Sequence, residues 1–436
     1  MVMPDLGHGH MKNARDEETE TVVTRKIGWP GGWPQTNEGV VFRDKVRGKA
    51  GAGQQLVEFY SHRYPHSGDS GTWERRILDG QVVIDGIPEK DPETRLKAGA
   101  MLEYHRKPWQ EADAPDSVRV LFEDADVLVV YKPSGLQVLP GAMFHQRTVL
   151  SLLQRDAASA PACSDGSARD LKGPPCNQAA AAAAPMHRLG RGTSGALLCA
   201  RSHVARVRLA EAFAQDAKFG NDSETKPIKK TYRALVTGRF PSTALEIDVP
   251  IGPVEYEGVK GGVHAANPDG KPARSVARAI HSDTAANTSI VEVDLYTGRP
   301  HQIRIHLAYA GHPLVGDPLY VKGGLPRASS ASVINSTVAL SDDVVIHREP
   351  EPALFANNQP SRDLSSGSNM SECQRLETSS SKAERFQGMG ALPGDCGYIL
   401  HAARIDFEHP VTRARIRVEA FPYPPELDVH ISSLPS

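Results

Sequence analysis

The fold is decided by the stretch Met186-His187-Arg188-Leu189-Gly190-Arg191-Gly192-Thr193-Ser194-Gly195 and the apolar run after it, Ala196-Leu197-Leu198-Cys199-Ala200. The glycines match the pattern G-x-G-x-x-G, and Glu211 lies 21 positions beyond Gly190, the spacing of a dinucleotide-binding fingerprint. That fingerprint needs a buried strand before the glycines and a helix directly after them, so that a pyrophosphate meets free N–H groups. Here alanines and a proline precede the glycines, and the apolar run after them favours a buried strand. This reversed order argues against a nucleotide site.

The same residues resemble a motif of RNA-modifying enzymes. The series His187-Arg188-Leu189-x-x-x-Thr193-Ser194-Gly195 is similar to the signature H-R-L-D-x-x-T-S-G of the RNA pseudouridine synthases that act on ribosomal and transfer RNA. In that family the residue after the leucine is the catalytic aspartate, and this chain has Gly190 in its place. The glycine variant is similar to the plant members called type 5. Two hypotheses therefore stay open: an enzyme, or an RNA-binding protein built on an enzyme fold.

Three further segments resemble motifs of the same family, in the family's order. They are an opening motif that ends in Lys132-Pro133-Ser134-Gly135, the strand motif at 229–238 and the motif at 298–320. The resemblance covers most of 118–425 outside two insertions. It implies an α+β fold, with a small S4-like RNA-binding module followed by a pseudouridine-synthase-type domain that has a mixed, mostly antiparallel sheet.

The domain boundaries follow from composition and periodicity. Residues 1–53 are polar and glycine-rich, which predicts a flexible N-terminal arm. Residues 54–112 show two short helices, a strand–turn–strand unit around Asp85-Gly86 and a last strand over 95–104, an order that resembles the S4 module. Residues 117–430 are predicted to form the catalytic domain. Within it, 156–185 is rich in Ala, Ser, Gly and Pro, and 322–397 is rich in Ser and Asn, which predicts two insertions.

Bulk composition narrows the class of protein. The chain has 436 residues, of which 39% are hydrophobic, enough for two or three domains with a sizeable core. It shows no apolar run of about 18 residues and no signal pattern, so we expect an intracellular protein without a membrane span. The five cysteines are scattered without a C-x-x-C pair, so neither a zinc site nor a disulfide framework is predicted.

The formal net charge of −2 predicts no general affinity for nucleic acid, but the charge is unevenly distributed. Residues 187–233 contain ten Lys or Arg and four Asp or Glu, so a basic face around the central motif and an ordinary solvated surface are both open. Arg188 and Arg191 are the candidates for RNA contact there. The resemblance to the S4 module nominates Arg75 and Arg76, although residues 58–116 carry twelve acids and eight bases.

The family's reaction, uridine to pseudouridine, needs no cofactor. The bond between the sugar and the uracil nitrogen breaks, the base turns, and a carbon–carbon bond forms at the same sugar carbon. A carboxylate is needed beside that carbon as a base or nucleophile, and an arginine within ~4–6 Å keeps it ionised. The resemblance implies that Arg304 is this arginine, that Tyr232 covers the flipped uracil, and that Arg188 enters the RNA stack.

Alternation over 302–307 predicts a strand, with Gln302, Arg304 and His306 on one face towards a polar cleft. On such a strand His301 and His306 face opposite sides, which argues against shared metal ligation. We therefore predict no metal site.

Glycine at 190 supplies no carboxylate, and residues 191–210 contain no Asp or Glu. An active enzyme would need an acid from elsewhere, such as Asp317 or Asp294. The alternative is a catalytically silent RNA-binding protein that kept the groove. In both hypotheses RNA is the partner, and we expect a monomer without an obligate protein partner.

Overall fold

The structure is a computed structural model that describes residues 25–64, 67–141, 144–159, 182–216, 226–256, 259–327 and 396–428. The first part of the predicted arm and most of both predicted insertions lie outside the described residues. In chain order the strands are β1 (Lys26–Gly28), β2 (Val40–Lys45), β3 (Val82–Ile84), β4 (Ile87–Glu89), β5 (Met101–Arg106), β6 (Ser117–Glu123), β7 (Val127–Lys132), β8 (Ala184–Pro185), β9 (Ser194–Ala200), β10 (Ile228–Thr237), β11 (Leu245–Asp248), β12 (Ile251–Tyr256), β13 (Val259–Ala266), β14 (Arg274–Asp283), β15 (Thr288–Leu295), β16 (Tyr320–Val321), β17 (Leu325–Pro326), β18 (Leu400–Glu408) and β19 (Arg415–Glu419). The helices are α1 (Gly48–Gly51), α2 (Leu56–Arg63), α3 (Ser70–Leu78), α4 (Val149–Ser159), α5 (His203–Asp216) and α6 (Gln302–Tyr309), with a 3₁₀ turn at Pro425–Leu427.

Within the described ranges, eleven strands form one large sheet. Its main path runs β1-β6-β7-β9-β18-β10-β15-β14-β11, and β8 and β19 pair with β9 and β18. Neighbouring strands are antiparallel except β9 and β18, which run parallel with Ser194 opposite His401. The large sheet is mixed and mostly antiparallel, as the sequence predicts.

The centre of the large sheet is buried on both faces. Every residue of β9 is buried, because its apolar side chains alternate between two cores. One core lies against α4 and α6 and contains Leu197, Tyr232 and Ile303, and the other lies against α5 and contains Leu198 and Leu209. Full burial of one such aliphatic side chain contributes ~1.5–3 kcal/mol. The strand that follows the central motif is therefore a rigid support for it.

A smaller sheet, in the order β2-β5-β3-β4, packs against α2 and α3. Its core is aromatic, with the ring of Trp73 4.5 Å from that of Tyr60 and 4.9 Å from that of Tyr104. Between β3 and β4, Asp85 and Gly86 have φ of 49° and 86°, the left-handed pair of a two-residue hairpin turn. The predicted hairpin is confirmed, and the likeness of this unit to an S4 module stays a prediction.

The prediction of a flexible arm over 1–53 is wrong for residues 25–53. There β1 pairs with β6 at the edge of the large sheet, and β2 pairs with β5 along its whole length. The indole Nε1 of Trp33 donates to the carbonyls of Ala114 and Pro115, both at 3.1 Å. These strands are short and their partners are distant in sequence, so local composition does not reveal them.

The prediction of a strand over 302–307 is also wrong, because these residues belong to α6. All residues from Gln302 to Ala308 are buried, so this helix has no exposed polar face to give the helical period. Gln302 is satisfied inside the protein: its Nε2 donates to the Arg274 carbonyl at 2.9 Å, and its Oε1 accepts from the Thr297 hydroxyl at 2.7 Å. The alternation of isoleucines with polar residues therefore does not indicate a sheet face.

Ordered elements lie within the edges of both predicted insertions, 156–185 and 322–397, whose presence and extent stay predictions. Helix α4 extends to Ser159, β8 lies at 184–185, and β17 lies at 325–326. The remaining domain boundaries stay predictions.

Candidate active site

The loop that carries Gly190 is anchored at its entrance by His187. The ring Nε2 of His187 accepts a hydrogen bond from the Leu198 N–H at 3.0 Å, which requires a neutral ring. Burial, with a contribution from nearby Lys230, lowers the pKa of His187 to about 3. The Met186 N–H donates to the Leu198 carbonyl at 2.9 Å. The first residues of the motif therefore lie along β9.

Lys132 holds the other end of this loop from inside the core. It is fully buried, and its amino group donates at 2.9, 2.8 and 3.1 Å to the backbone carbonyls of Pro133, Leu136 and Arg191. The hydroxyl of Ser134 donates to the Gly192 carbonyl at 2.7 Å. Burial lowers the pKa of Lys132 to about 7. The Lys-Pro-Ser-Gly turn after β7 thus fixes the backbone directly after Gly190.

Gly190 is exposed and lies beside a tyrosine from a distant part of the chain. A Cβ added at Gly190 would lie 2.7 Å from the Tyr398 hydroxyl oxygen and 3.3 Å from Thr193 Oγ1. Among the described residues, and apart from its chain neighbours, no other atom comes within 4 Å of that Cβ. The hydroxyls of Tyr398 and Thr193 are 3.3 Å apart. The Tyr398 hydroxyl therefore occupies the space into which a side chain at 190 would extend.

The backbone next to Tyr398 packs closely against the segment at 315–316, and this packing places Tyr398 beside the loop. The Ile399 N–H donates to the Val315 carbonyl at 3.3 Å, and the Ile399 carbonyl accepts from Leu235 at 3.2 Å. A Cβ at Gly316 would lie 2.2 Å from the Gly397 carbonyl oxygen, so only glycine allows this approach. The sequence does not reveal Tyr398 as a site residue, because its contact with Gly190 is purely tertiary.

Arg304, on α6, forms a buried ion pair with Asp317. Its Nε and Nη2 donate to the two carboxylate oxygens of Asp317, both at 2.7 Å. The guanidinium carbon lies 4.2 Å from the centre of the Tyr398 ring and 4.9 Å from that of Tyr320. Burial has the largest single effect and opposes the charge of Arg304. The hydrogen bond to Asp317 and the electrostatic interactions with Tyr398, Asp317 and Tyr320 together outweigh burial and raise the pKa of the guanidinium. The arginine that the resemblance assigns to the missing aspartate is thus paired with Asp317.

Tyr232 lies on β10 in the same core as Leu189, Ile303 and Tyr398. Burial raises the pKa of the Tyr232 phenol, which stays protonated at neutral pH.

Asp294 belongs to the opposite face of the sheet. It pairs across the strands with Thr231, whose hydroxyl donates to it at 2.9 Å, and Arg278 donates to it at 2.6 Å. Because successive residues of a strand point to opposite faces, Asp294 does not share the face of Tyr232. Of the two acids suggested by the sequence, only Asp317 reaches the site, through Arg304.

The sequence is similar to those of several known proteins. A family model described as RNA pseudouridylate synthase matches residues 126–309. The chain is 40% identical to RNA pseudouridine synthase 5 of Oryza sativa over 401 residues, which are 89% of this chain and 88% of that protein. The chain belongs to the RNA pseudouridine synthase family. It is also 38% identical to RNA pseudouridine synthase 5 of Arabidopsis thaliana, over 92% of this chain and 97% of that protein. Ribosomal large subunit pseudouridine synthase D of Yersinia pestis is 31% identical, over 63% of this chain and 74% of that protein.

The arginines predicted to contact RNA fall on two parts of this family member. Arg188 and Arg191 flank Gly190; Arg188 is exposed, and the guanidinium of Arg191 lies 5.0 Å from the Phe144 ring centre. Arg75 and Arg76 lie on α3. Arg75 is exposed, whereas Arg76 donates to Ser67 and lies 4.6 Å from the Trp73 ring centre.

The histidines near α6 have separate protein partners. His301 Nδ1 lies 2.8 Å from the Tyr320 hydroxyl, His306 Nε2 donates to the Val249 carbonyl at 3.0 Å, and His312 Nδ1 lies 3.1 Å from the Thr237 carbonyl. His301 lies at the start of α6 and His306 within it. The expectation that they point to opposite faces of a strand is therefore wrong. In the part of the chain that the structure describes, no group of three His, Cys, Asp or Glu could hold a metal, and no helix is long and apolar enough to cross a membrane.

Proposed function

We propose that the protein is an RNA pseudouridine synthase that isomerises uridine to pseudouridine in a structured RNA, ribosomal or transfer RNA, without a cofactor. The observation that carries the proposal is the buried contact of Arg304 with Tyr398, which brings the family's arginine to the loop at 190. A ribosomal target is supported by the bacterial relative, whose name refers to the large ribosomal subunit.

In this proposal each side chain of the site has a separate role. The ring of Tyr232 covers the uracil once it has left the RNA stack. Arg304, held by both oxygens of Asp317, presents a fixed positive charge beside the reacting sugar. Preorganisation of this kind supports the proposal, because the charge needs no reorientation during the reaction.

The same proposal assigns RNA contacts to the exposed Arg188 and Arg75 and to the partly buried Arg191. Arg188 enters the RNA stack as the base flips, and Arg191 and Arg75 contact the backbone. Arg76 is a weaker candidate than Arg75, because its guanidinium already donates to Ser67. The unit formed by β2–β5 with α2 and α3 would then act as an S4-like RNA-binding module, and the protein would bind RNA as a monomer.

A second candidate function is a catalytically silent RNA-binding protein on the same fold. Two observations favour it: residue 190 is a glycine, and Nε and Nη2 of Arg304 donate to Asp317 and not to a carboxylate at 190. In that case the groove would serve recognition alone.

Release of tritium from uridine labelled at C5 in bulk ribosomal and transfer RNA distinguishes the two functions. We expect wild type to release tritium, because the C5 proton is lost when the carbon–carbon bond forms. RNA that is bound without any release would overturn the proposed activity and leave the silent alternative.

The variant Arg188→Ala tests the assigned RNA contact. We expect release to fall by about 10-fold or more, the loss of one specific contact, with an unchanged melting temperature because Arg188 is exposed. Arg239→Ala, another exposed arginine outside the family motifs, is the matched control and should keep wild-type release. Equal activity of the two variants would remove Arg188 from the site.

A further inference from the structure

We propose that Tyr398 replaces the missing aspartate, with its phenolate oxygen as the nucleophile that attacks the sugar carbon of the target uridine. This inference rests on the proposed synthase activity and names the group that carries it out. It answers how a chain with glycine at 190 could retain the chemistry of its family.

The Tyr398 hydroxyl oxygen lies in a position that suits this role. The Tyr398 hydroxyl lies 2.7 Å from the Cβ that residue 190 would carry, within the reach of an aspartate side chain at that position. Gly190 itself is exposed, and the buried Tyr398 side chain lies directly beside it. The oxygen of Tyr398, from the segment just before β18, thus occupies the place that a side chain at residue 190 would have.

The Tyr398 hydroxyl oxygen is also held firmly in this position. The ring of Tyr398 rests on the loop, with its Cε1 and Cζ 2.9 Å from the Cβ that Gly192 would carry. Its hydroxyl lies 3.3 Å from that of Thr193, and its backbone is fixed by the bonds of Ile399 to Val315 and Leu235. A side chain held in this way can attack a bound sugar without further ordering.

A positively charged side chain lies next to the ring of Tyr398. The Arg304 guanidinium carbon lies 4.2 Å from the ring centre, and a positive charge at this distance stabilises a phenolate. Asp317 and Cys396 oppose the ionisation, and Thr193 favours it through its hydrogen bond. Burial has the largest effect and raises the pKa of Tyr398, so most molecules carry the neutral phenol at neutral pH.

The reaction balances with these groups alone. After its proton has gone to solvent, the Tyr398 oxygen bonds to the sugar C1′, and the bond to uracil N1 breaks with its electron pair on the uracil. The uracil turns, its C5 attacks C1′, and the electron pair of the carbon–oxygen bond returns to Tyr398. C5 then loses its proton to solvent while N1 gains one. Tyrosine is an established nucleophile of this type in sugar chemistry.

Three variants test the inference by tritium release: Tyr398→Phe, Gly190→Asp, and the two together. Tyr398→Phe should lose about 10⁴-fold in activity, as removal of a nucleophile does, while RNA affinity and melting temperature stay near wild type. Gly190→Asp alone should gain nothing, because the Tyr398 hydroxyl obstructs its side chain. The double variant removes that oxygen and should regain activity through the new carboxylate. Tyr309→Phe, in the same core, is the matched control.

The pH profile of wild type is a second test that needs no variant. Because burial raises the pKa of Tyr398, kcat/KM should rise about tenfold per pH unit from about pH 6 to 9 as the phenolate fraction grows. The double variant should be flat over that range, since an aspartate is already ionised.

The outcomes separate the inference from the proposed function. Tyr398→Phe with wild-type activity, or a flat wild-type profile, would overturn the role of Tyr398 and leave the synthase proposal standing. A wild type without activity would overturn both. Activity of the double variant alone would then identify a silent protein whose pocket is intact.

Discussion

The amino group of Lys132 is fully buried beside the loop at 190. A lysine has three N–H donors, and three carbonyl oxygens accept them, so hydrogen bonds offset part of the cost of burial. One of these carbonyls belongs to Arg191, the residue after Gly190. The side chain is therefore a direct connection between β7 and the loop of the active site.

Replacing Lys132 by methionine should lower the free energy of unfolding by about 2–4 kcal/mol, because buried carbonyls lose their donor. Activity should fall as well, since the loop at 190–192 loses an anchor. Urea denaturation measures the first effect. Lys229→Met, on β10 with an exposed side chain, is the control and should change stability by less than ~0.5 kcal/mol. Equal stabilities of the two variants would contradict this role.

At the residue level the sequence predicts only part of the site. The motifs nominate Arg304 and Tyr232, and both reach the core next to the loop. The sequence suggests Asp317 only as one of two possible sources of the missing carboxylate. Tyr398 is not predicted at all, because it approaches Gly190 by tertiary contact across a long stretch of sequence.

Among the elements, those with a clear local pattern are predicted and those without are not. β9 and β10 are read correctly as strands, because their apolar side chains are continuous or alternate between two buried layers. α6 is read wrongly, because a helix buried on all sides has no polar stripe. β1 and β2 are missed because each depends on a partner strand far away in sequence.

Glu111 fixes the linker between the small and the large sheet. Its buried carboxylate accepts from Asn37 Nδ2 at 2.8 Å. The backbone N–H groups of residues 145–147 donate to it at 2.9, 2.7 and 2.8 Å. One side chain thus joins the segment before β2, the linker and the loop before α4.

A glutamine at 111 should weaken the hydrogen bonds that Glu111 accepts. It keeps one oxygen acceptor but points an NH₂ group at N–H donors. We expect Glu111→Gln to lower the free energy of unfolding by about 2–4 kcal/mol and to speed hydrogen exchange at 145–147. Glu93→Gln, at an exposed position, is the control. Unchanged exchange at 145–147 would show that the carboxylate does not hold the joint.

For the molecule as a whole, burial of neutral histidines makes stability depend on pH. Burial lowers the pKa of His187 and His301 to about 3 and that of His306 and His401 to about 4. In the unfolded chain these rings have a pKa near ~6.5. Between pH ~6.5 and about pH 3–4, these histidines bind protons in the unfolded chain but not in the folded protein. The free energy of unfolding therefore falls as the pH falls.

We therefore expect the urea midpoint of unfolding to drop steadily from about pH 7 to pH 5. The drop should exceed the one that protonation of a single buried histidine would cause. The variant His306→Gln should reduce the slope, because an amide can donate to the Val249 carbonyl and accept from Ser275 as the neutral ring does, without binding a proton. His203→Gln, at an exposed position, is the control. A midpoint that stays constant or rises on acidification would mean that these rings are not held neutral, and that the core around the motif tolerates charge.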